Sequence, residues 1–236
     1  PAGIIFGANA SLNVPAAFTA TTATGLRFDN NWLQSIGPNN YSALTGTPSA
    51  FAFTTNQPGS IVNFGNLGVG AGQDLTLLGG VVLNSGQLTA PSGQITIAAV
   101  PGESLVKISQ PGHLLSLEIQ PIGNAQLPIT NPQFSIASLP QLLTGAGGIH
   151  ANKVQVNPDG SVQLTAAGPM IPVGNGSAIA SGAIDVSEPL AGVGGEVNIL
   201  GSQVAIVDAN IGASGINGGG TIRIGGDYKG QGTIPN

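Results

Sequence analysis

The chain has no cysteine among its 236 residues, and this absence excludes several kinds of chemistry at once. Thiolate metal sites, thiol redox reactions and disulfide bonds all require cysteine. A chain without cysteine can cross membranes unfolded, with no bridges forming on the way. The absence therefore suits an exported protein.

Charge is also scarce, and positive charge is the scarcest. The sequence has five Lys and Arg residues, ten Asp and Glu residues and a formal net charge of −5. Nucleic acid is excluded as a partner, because phosphate backbones are bound by clustered Lys and Arg. No run approaches the ~18 unbroken apolar residues of a membrane span. Hydrophobic residues make up 41% of the chain, which disfavours disorder.

Short β-type runs separated by glycine and proline fill most of the sequence, which holds 38 Gly and 17 Pro. One unit occurs twice, as LTLLG at 75–79 and as VNILG at 197–201, and similar short runs follow each copy. Strands of this length bury a face only when similar strands stack above and below them. The sequence therefore predicts an all-β fold, a parallel β-helix (β-solenoid) of roughly ten coils.

We predict a single β-helix domain over residues 1–236 with two excursions, at 29–50 and 121–175. Within the second excursion, alternating strands flank the turn sequence at 157–160 and predict an antiparallel β-hairpin. Residues 138–145 predict one helical turn, with a serine cap and a final glycine. Four other apolar runs are expected to be coil strands: 26–28, 51–53, 105–109 and 114–119.

The sequence offers little for catalysis, and we expect no cofactor, no metal and no enzyme activity. His113 and His150 fit no Ser-His-Asp or metal-ligand spacing and are expected in solvent-facing loops. The nearest acidic grouping is Asp185, Glu188, Glu196 and Asp208. At one coil length Asp185 and Asp208 would stack as a weak calcium or sugar site; we favour the alternative that these charges keep the surface wet and block lateral aggregation.

Several segments resemble the two-partner-secretion domains of the filamentous haemagglutinin family. Pro1, Ala2, Gly3 and Ile4 resemble that family's Asn-Pro-Asn-Gly-Ile motif, and residues 18–22, 72–80 and 218–232 are similar to its other segments. The resemblance implies a right-handed parallel β-helix, export through an outer-membrane transporter partner, and a role in adhesion or the extracellular matrix of a Gram-negative bacterium. The family's asparagine before Pro1 and its upstream segment are not in this sequence, so we expect a processed product or part of a longer exoprotein.

Three functions follow as hypotheses. The first is a non-enzymatic adhesin-like segment, secreted to the outer cell surface, with Trp32 and Tyr41 as candidates for contact with a glycan or another cell-surface ligand. For these two aromatic residues we favour the alternative that they seal the side of the helix against a loop. The second is a subunit that stacks head to tail into a structural filament. The third and remotest is a polysaccharide-active β-helix enzyme.

Overall fold

The structure, a computed structural model, describes residues 3–109, 116–121, 153–156, 162–165, 170–171, 174–190 and 192–225. Within these residues every regular element is a β-strand except one 3-10 turn, Tyr41–Ala43. Contacts divide the chain into two units: Pro1–Ile122 with Gly174–Asn236, and Gly123–Val173. Most of the described residues lie in the first unit.

Three parallel sheets of five strands each form the larger part of the first unit. Sheet A contains β1 (Gly3–Phe6), β7 (Ser60–Asn63), β10 (Val81–Asn84), β18 (Ser177–Ala180) and β21 (Gln203–Ile206). Sheet B contains β2 (Ser11–Val14), β8 (Asn66–Val69), β11 (Gln87–Thr89), β19 (Ala183–Asp185) and β22 (Asn210–Gly212). Sheet C contains β3 (Phe18–Thr21), β9 (Asp74–Gly79), β12 (Gln94–Ala99), β20 (Glu196–Leu200) and β23 (Thr221–Ile224).

The chain passes through sheets A, B and C in that order again and again, and we call one such passage a coil. Each strand pairs in parallel with its counterparts in the neighbouring coils, as β9 does with β12 and β12 with β20. The arrangement is compatible with a parallel β-helix. The two copies of the repeated unit, 75–79 and 197–201, both lie in sheet C and are in register through β12.

The prediction of about ten coils is not confirmed, because the described residues contain five. Strands expected in coils instead form an antiparallel sheet, sheet D. Its strands are β4 (Gly25–Phe28), β5 (Asn31–Gln34), β6 (Pro48–Phe53), β13 (Ser104–Ser109) and β14 (Ser116–Pro121). The prediction that these four runs are coil strands was therefore wrong for their described residues. Alternation marks a half-buried strand but does not reveal the direction of its partner.

The coil interior is filled by rows of aliphatic side chains that stack from one coil to the next. In sheet C one such row runs through Leu75, Ile95 and Val197, and all three are fully buried. Sheets A and B contribute further buried residues to the same cluster, including Ile61, Leu67 and Ile184. Register holds these rows in place, since a one-residue slip would turn each apolar side chain outward.

Glycine occupies the corners between sheets because successive coils meet there backbone to backbone. Between sheets A and B, a Cβ added to Gly86 or Gly182 would overlap the carbonyl oxygen of the preceding coil's glycine. Between sheets B and C the same holds for Gly195 and Gly220. The close approach, rather than an unusual φ, requires glycine at these four positions.

Sheet D packs on the outer face of sheet C. Phe51, Phe53 and Val106 of sheet D form a second buried cluster with outward-facing residues of sheet C such as Leu78 and Ala98. This cover explains why β12 is buried at all six of its positions. The excursion predicted at 29–50 is thus part of a sheet that begins earlier, at Gly25.

The second unit contains β15 (Lys153–Val156), β16 (Val162–Thr165) and β17 (Met170–Ile171), which form a three-stranded antiparallel sheet. Lys153 pairs with Thr165, and Val156 pairs with Val162. The predicted β-hairpin is confirmed. The helical turn predicted at 138–145 lies outside the described residues.

Candidate functional site

The secretion-motif-like residues lie at the start of the first coil. Pro1 and Ala2 are outside the described residues, whereas Gly3 and Ile4 belong to β1. A Cβ on Gly3 would lie 2.9 Å from the carbonyl oxygen of Ser60 in the next coil. Ile4 packs against the coil interior and pairs with Ile61. In this structure Gly3 and Ile4 pack the first coil against the second. Their part in secretion stays a prediction.

Trp32 and Tyr41 both lie in the excursion that carries sheet D, but in different settings. The Arg27 guanidinium lies 6.0 Å from the Trp32 ring centroid, and the two residues pair across β4 and β5. The Arg27 side chain is oriented further by a 2.7 Å hydrogen bond from Nε to the Asp29 carbonyl oxygen. Trp32 is half-buried and its ring covers Gly25.

Tyr41 is 72% exposed on the 3-10 turn, so the expectation that it seals the side of the helix was wrong. The neighbouring Ile36 is 78% exposed. Exposed large side chains of this kind are available for contact with another molecule. That Tyr41 and Trp32 make such a contact stays a prediction.

The structure does not stack Asp185 on Asp208. Asp185 pairs with Gly212 in the next coil, and Asp208 lies in the turn between β21 and β22 with φ 51°. Coil length varies along the chain, so two residues separated by one assumed coil length in sequence are not always paired in neighbouring coils. Asp185 Oδ1 instead accepts a 2.9 Å hydrogen bond from the backbone N–H of Ser187.

The other two acids of that grouping are also held by nearby groups. Glu188 Oε1 accepts a 2.9 Å hydrogen bond from the backbone N–H of Leu190. Glu196 Oε1 forms an ion pair with Arg223 and accepts a 2.8 Å hydrogen bond from Asn198 Nδ2. Among the described residues no group of three His, Cys, Asp or Glu side chains is placed to hold a metal ion. His113 and His150 lie outside the described residues.

The sequence analysis missed a polar cleft at the corner where the chain enters sheet C. Four neighbouring strands of sheet C begin there, and their first residues lie in register: Asp74, Gln94, Glu196 and Thr221. We call the cavity beside them the sheet C cleft; its volume is about 450 Å³ and six of its lining residues are glycines. A recurring signal was available, because Gln94, Glu196 and Thr221 each follow a glycine and precede an isoleucine or valine.

Gln94 is the most unusual residue of the cleft. It is 3% exposed, and among the described residues neither Nε2 nor Oε1 of its side chain has a hydrogen-bond partner. Thr96 lies two residues further along the same face of β12, and its hydroxyl also has no hydrogen-bond partner in the described part of the chain. Buried polar atoms without partners are rare in folded proteins. The middle strand of sheet C therefore has unmet hydrogen-bonding capacity.

The stacked parallel strands and glycine corners define an all-β class of protein built from coils, and comparison with known families identifies the family. The model of the TPS secretion domain, which stands for two-partner secretion, matches residues 1–147. The chain belongs to this family. Coils four and five, in residues 174–225, extend the same sheets beyond the matched range.

Family membership makes the chain part of a two-partner-secretion exoprotein, exported across an outer membrane, and implies a transporter in that membrane as its partner. No curated protein and no solved structure matched the chain. A membrane-spanning helix was not found in the part of the chain that the structure describes.

Proposed function

We propose that the chain is a non-enzymatic segment of an adhesin-like exoprotein of the filamentous haemagglutinin type. In this proposal residues 1–236 form one right-handed β-helix domain with lateral excursions, presented on the outer surface of a Gram-negative bacterium. The observation that carries it is that the first unit has two structurally different parts, the coils and sheet D. The coils form a stacked core, and sheet D brings an exposed segment to their side.

The coil stack suits a rigid support. Five successive strands in each of sheets A, B and C are joined by continuous backbone hydrogen bonding and share one aliphatic core. At ~4.8 Å between neighbouring strands, five coils span about 20 Å along the stacking direction. Each coil gains stability from its neighbours, as in other repeat architectures.

The segment between β5 and β6 suits a contact surface. Ile36 and Tyr41 expose most of their side chains there, while β4 and β6 anchor the segment through sheet D. Variable binding surfaces are commonly loops held by a rigid scaffold. The acids Asp185, Glu188 and Glu196 each bind groups of their own chain, which supports a binding role rather than a hydrolytic one.

A bead-adhesion assay tests the proposal. Beads coated with the purified chain should bind epithelial cells more than albumin-coated beads do, and the double variant Ile36→Ser/Tyr41→Ser should reduce binding several-fold. Both side chains are exposed, so the variant keeps its thermal stability and serves with the parent as a matched pair. Binding no greater than that of albumin on several cell types would overturn the adhesin-like role. Release of fragments from a polysaccharide panel would overturn the non-enzymatic role.

Head-to-tail stacking into a filament stays a prediction with its own test. Electron microscopy over a concentration series would show continuous filaments if the chain polymerises. Isolated short particles at every concentration would contradict the filament hypothesis.

A further inference from the structure

We propose that Asn40 is an acceptor for N-linked glycosylation, in which a sugar is transferred to its side-chain amide from a phosphate-activated donor. The sequence contains three Asn-x-Ser tripeptides whose middle residue is not proline, and they begin at Asn9, Asn40 and Asn175. This tripeptide is the acceptor motif of N-glycosylation and is modified on surface loops of exported proteins. The inference goes beyond the adhesin-like function proposed above, because a covalent sugar is detected without any measurement of adhesion.

The Asn40 side chain is arranged as an acceptor rather than as a structural group. It is exposed beside the 3-10 turn Tyr41–Ala43 and makes no capping hydrogen bond to that turn. Its Oδ1 instead accepts a 2.7 Å hydrogen bond from the hydroxyl of Ser42, which is the hydroxyl of the same tripeptide. Within the described residues Asn40 Nδ2 makes no hydrogen bond. The nitrogen that carries the sugar in N-glycosylation is therefore accessible.

The backbone of residues 40–42 is held only by its own turn. Asn40 and Tyr41 each accept one backbone hydrogen bond from the residue three positions further on, at 3.1 and 3.2 Å. Among the described strands none pairs with residues 40–42. Segments held by few local hydrogen bonds open at a low cost in free energy. The tripeptide can therefore enter the active site of a glycosyltransferase while the coils and sheet D stay folded.

The tripeptide at Asn175 has the same sequence pattern but is engaged by the fold. Asn175 Nδ2 donates a 2.8 Å hydrogen bond to the carbonyl oxygen of Asn56, and Ser177 is 3% exposed within β18. The Ser177 hydroxyl donates a 3.4 Å hydrogen bond to Gln203 Oε1. A sugar on Asn175 would displace the contact with Asn56. We therefore expect Asn175 to stay unmodified in the folded chain.

The tripeptide at Asn9 is exposed at its asparagine but belongs to the coil backbone. Its middle residue, Ala10, accepts a 2.9 Å backbone hydrogen bond from Asn66 of the next coil. Ser11 is the first residue of β2 and pairs with Asn66. Moving this tripeptide into an enzyme would break pairing between two coils, so we expect less modification at Asn9 than at Asn40.

The transfer is a substitution at the sugar. Asn40 Nδ2 forms a bond to the anomeric carbon, and the bond from that carbon to the donor's phosphate oxygen breaks. The phosphate group leaves with the bonding electrons, and the proton lost from the amide passes to a base of the transferase. This chain supplies the acceptor amide and the Ser42 hydroxyl, whereas the transferase and the activated sugar are separate partners.

Peptide mapping of the exoprotein from the bacterium that produces it tests the proposal. Cleavage before aspartate places Asn40 in peptide 29–73, Asn175 in peptide 159–184 and Asn9 in a peptide that ends at residue 28. Mass spectrometry with electron-transfer fragmentation should locate a sugar on Asn40 and none on Asn175. Successive single-sugar increments would indicate a nucleoside-diphosphate donor, and one fixed oligosaccharide increment would indicate a lipid-linked donor.

Variants expressed in the same bacterium supply the controls. Asn40→Gln and Ser42→Ala should each lose the sugar from peptide 29–73. Ser42→Thr should keep it, because threonine also provides the hydroxyl of the motif. Ser35→Ala changes an exposed serine outside the motif and should leave the sugar unchanged.

Three results would overturn the proposal. The first is a peptide 29–73 without any sugar. The second is a sugar that persists in Asn40→Gln, which would be linked to a hydroxyl group instead. The third is equal or higher occupancy at Asn9 or Asn175, since the folded structure would then not select the site. Adhesion is measured separately with coated beads, so the failure of one proposal leaves the other standing.

Discussion

The coil stack and sheet D are built from similar residues but are held together in different ways. In the coils, Leu77 and Ile97 are fully enclosed by aliphatic neighbours from other sheets and other coils. In sheet D, Leu26 is only partly buried, and β5 has both its end residues exposed. The coils bury their inward-facing residues against one another, whereas sheet D buries one of its faces against the outward-facing side of sheet C. Position relative to a core, rather than composition, determines how much each residue contributes to stability.

The corner glycines offer the sharpest test of this difference. Gly195→Ala places a Cβ against the carbonyl oxygen of Gly93 in the preceding coil. Because backbone must move in a stacked structure, we expect a loss of about 4 kcal/mol or more in the free energy of unfolding. Chemical denaturation monitored by circular dichroism measures it. The control is Gly7→Ala, which meets nothing within 4 Å and should stay within about 0.5 kcal/mol of the parent. Equal losses in the two variants would show that coil packing does not govern the corners.

Truncation of an aliphatic residue should cost more in the coils than in sheet D. Leu77→Ala opens a cavity in the closed core, and we expect a loss of about 3 kcal/mol. Leu26→Ala, at the partly buried edge of the second cluster, should lose only about 1 kcal/mol. Denaturant midpoints for the pair measure the ratio. A larger loss for Leu26→Ala would reverse the comparison and make sheet D the more tightly packed region.

A buried asparagine pair contributes a side-chain hydrogen bond between neighbouring coils. Asn63 Nδ2 donates a 2.7 Å hydrogen bond to Asn84 Oδ1, and both side chains are fully buried at the end of sheet A strands. Asn84→Ala leaves the Asn63 amide short of a partner, which should cost about 2 kcal/mol. Asn66→Ala, an exposed asparagine on sheet B, is the control and should be nearly neutral. A neutral Asn84→Ala would mean that water replaces the lost contact.

The smallest effect on stability is expected at the exposed tip of the excursion. Tyr41→Ala removes a side chain that is 72% exposed, so the free energy of unfolding should change by less than about 0.5 kcal/mol. Trp32→Ala also removes the contact with Arg27 and should lose about 1 kcal/mol. Thermal unfolding of the two variants separates a structural aromatic residue from an exposed one. A clear loss of stability in Tyr41→Ala would support the prediction that Tyr41 seals the side of the helix.

Sequence reasoning reached the architecture more reliably than the site. The repeat of 75–79 at 197–201 predicted stacked parallel strands because short aliphatic runs bounded by glycine cannot bury a face alone. The hairpin at 153–165 was readable because its turn chemistry is local. The polar cleft was not found, since Asp74, Gln94 and Glu196 become neighbours only through register. The same reason explains why the stacking of Asp185 on Asp208 was wrong.

By itself the sequence determined that this chain is an all-β, exported type of protein, and its likeness to two-partner-secretion domains was readable from short segments. Composition and local periodicity are properties of neighbouring residues, so they are present before folding. Only the tertiary structure decided that the strands within 25–53, 104–109 and 116–121 leave the coils for sheet D. It alone placed Gln94, whose side-chain amide has no hydrogen-bond partner among the described residues, beside a cleft. Strand direction and register depend on contacts between distant residues, and a linear pattern does not contain them.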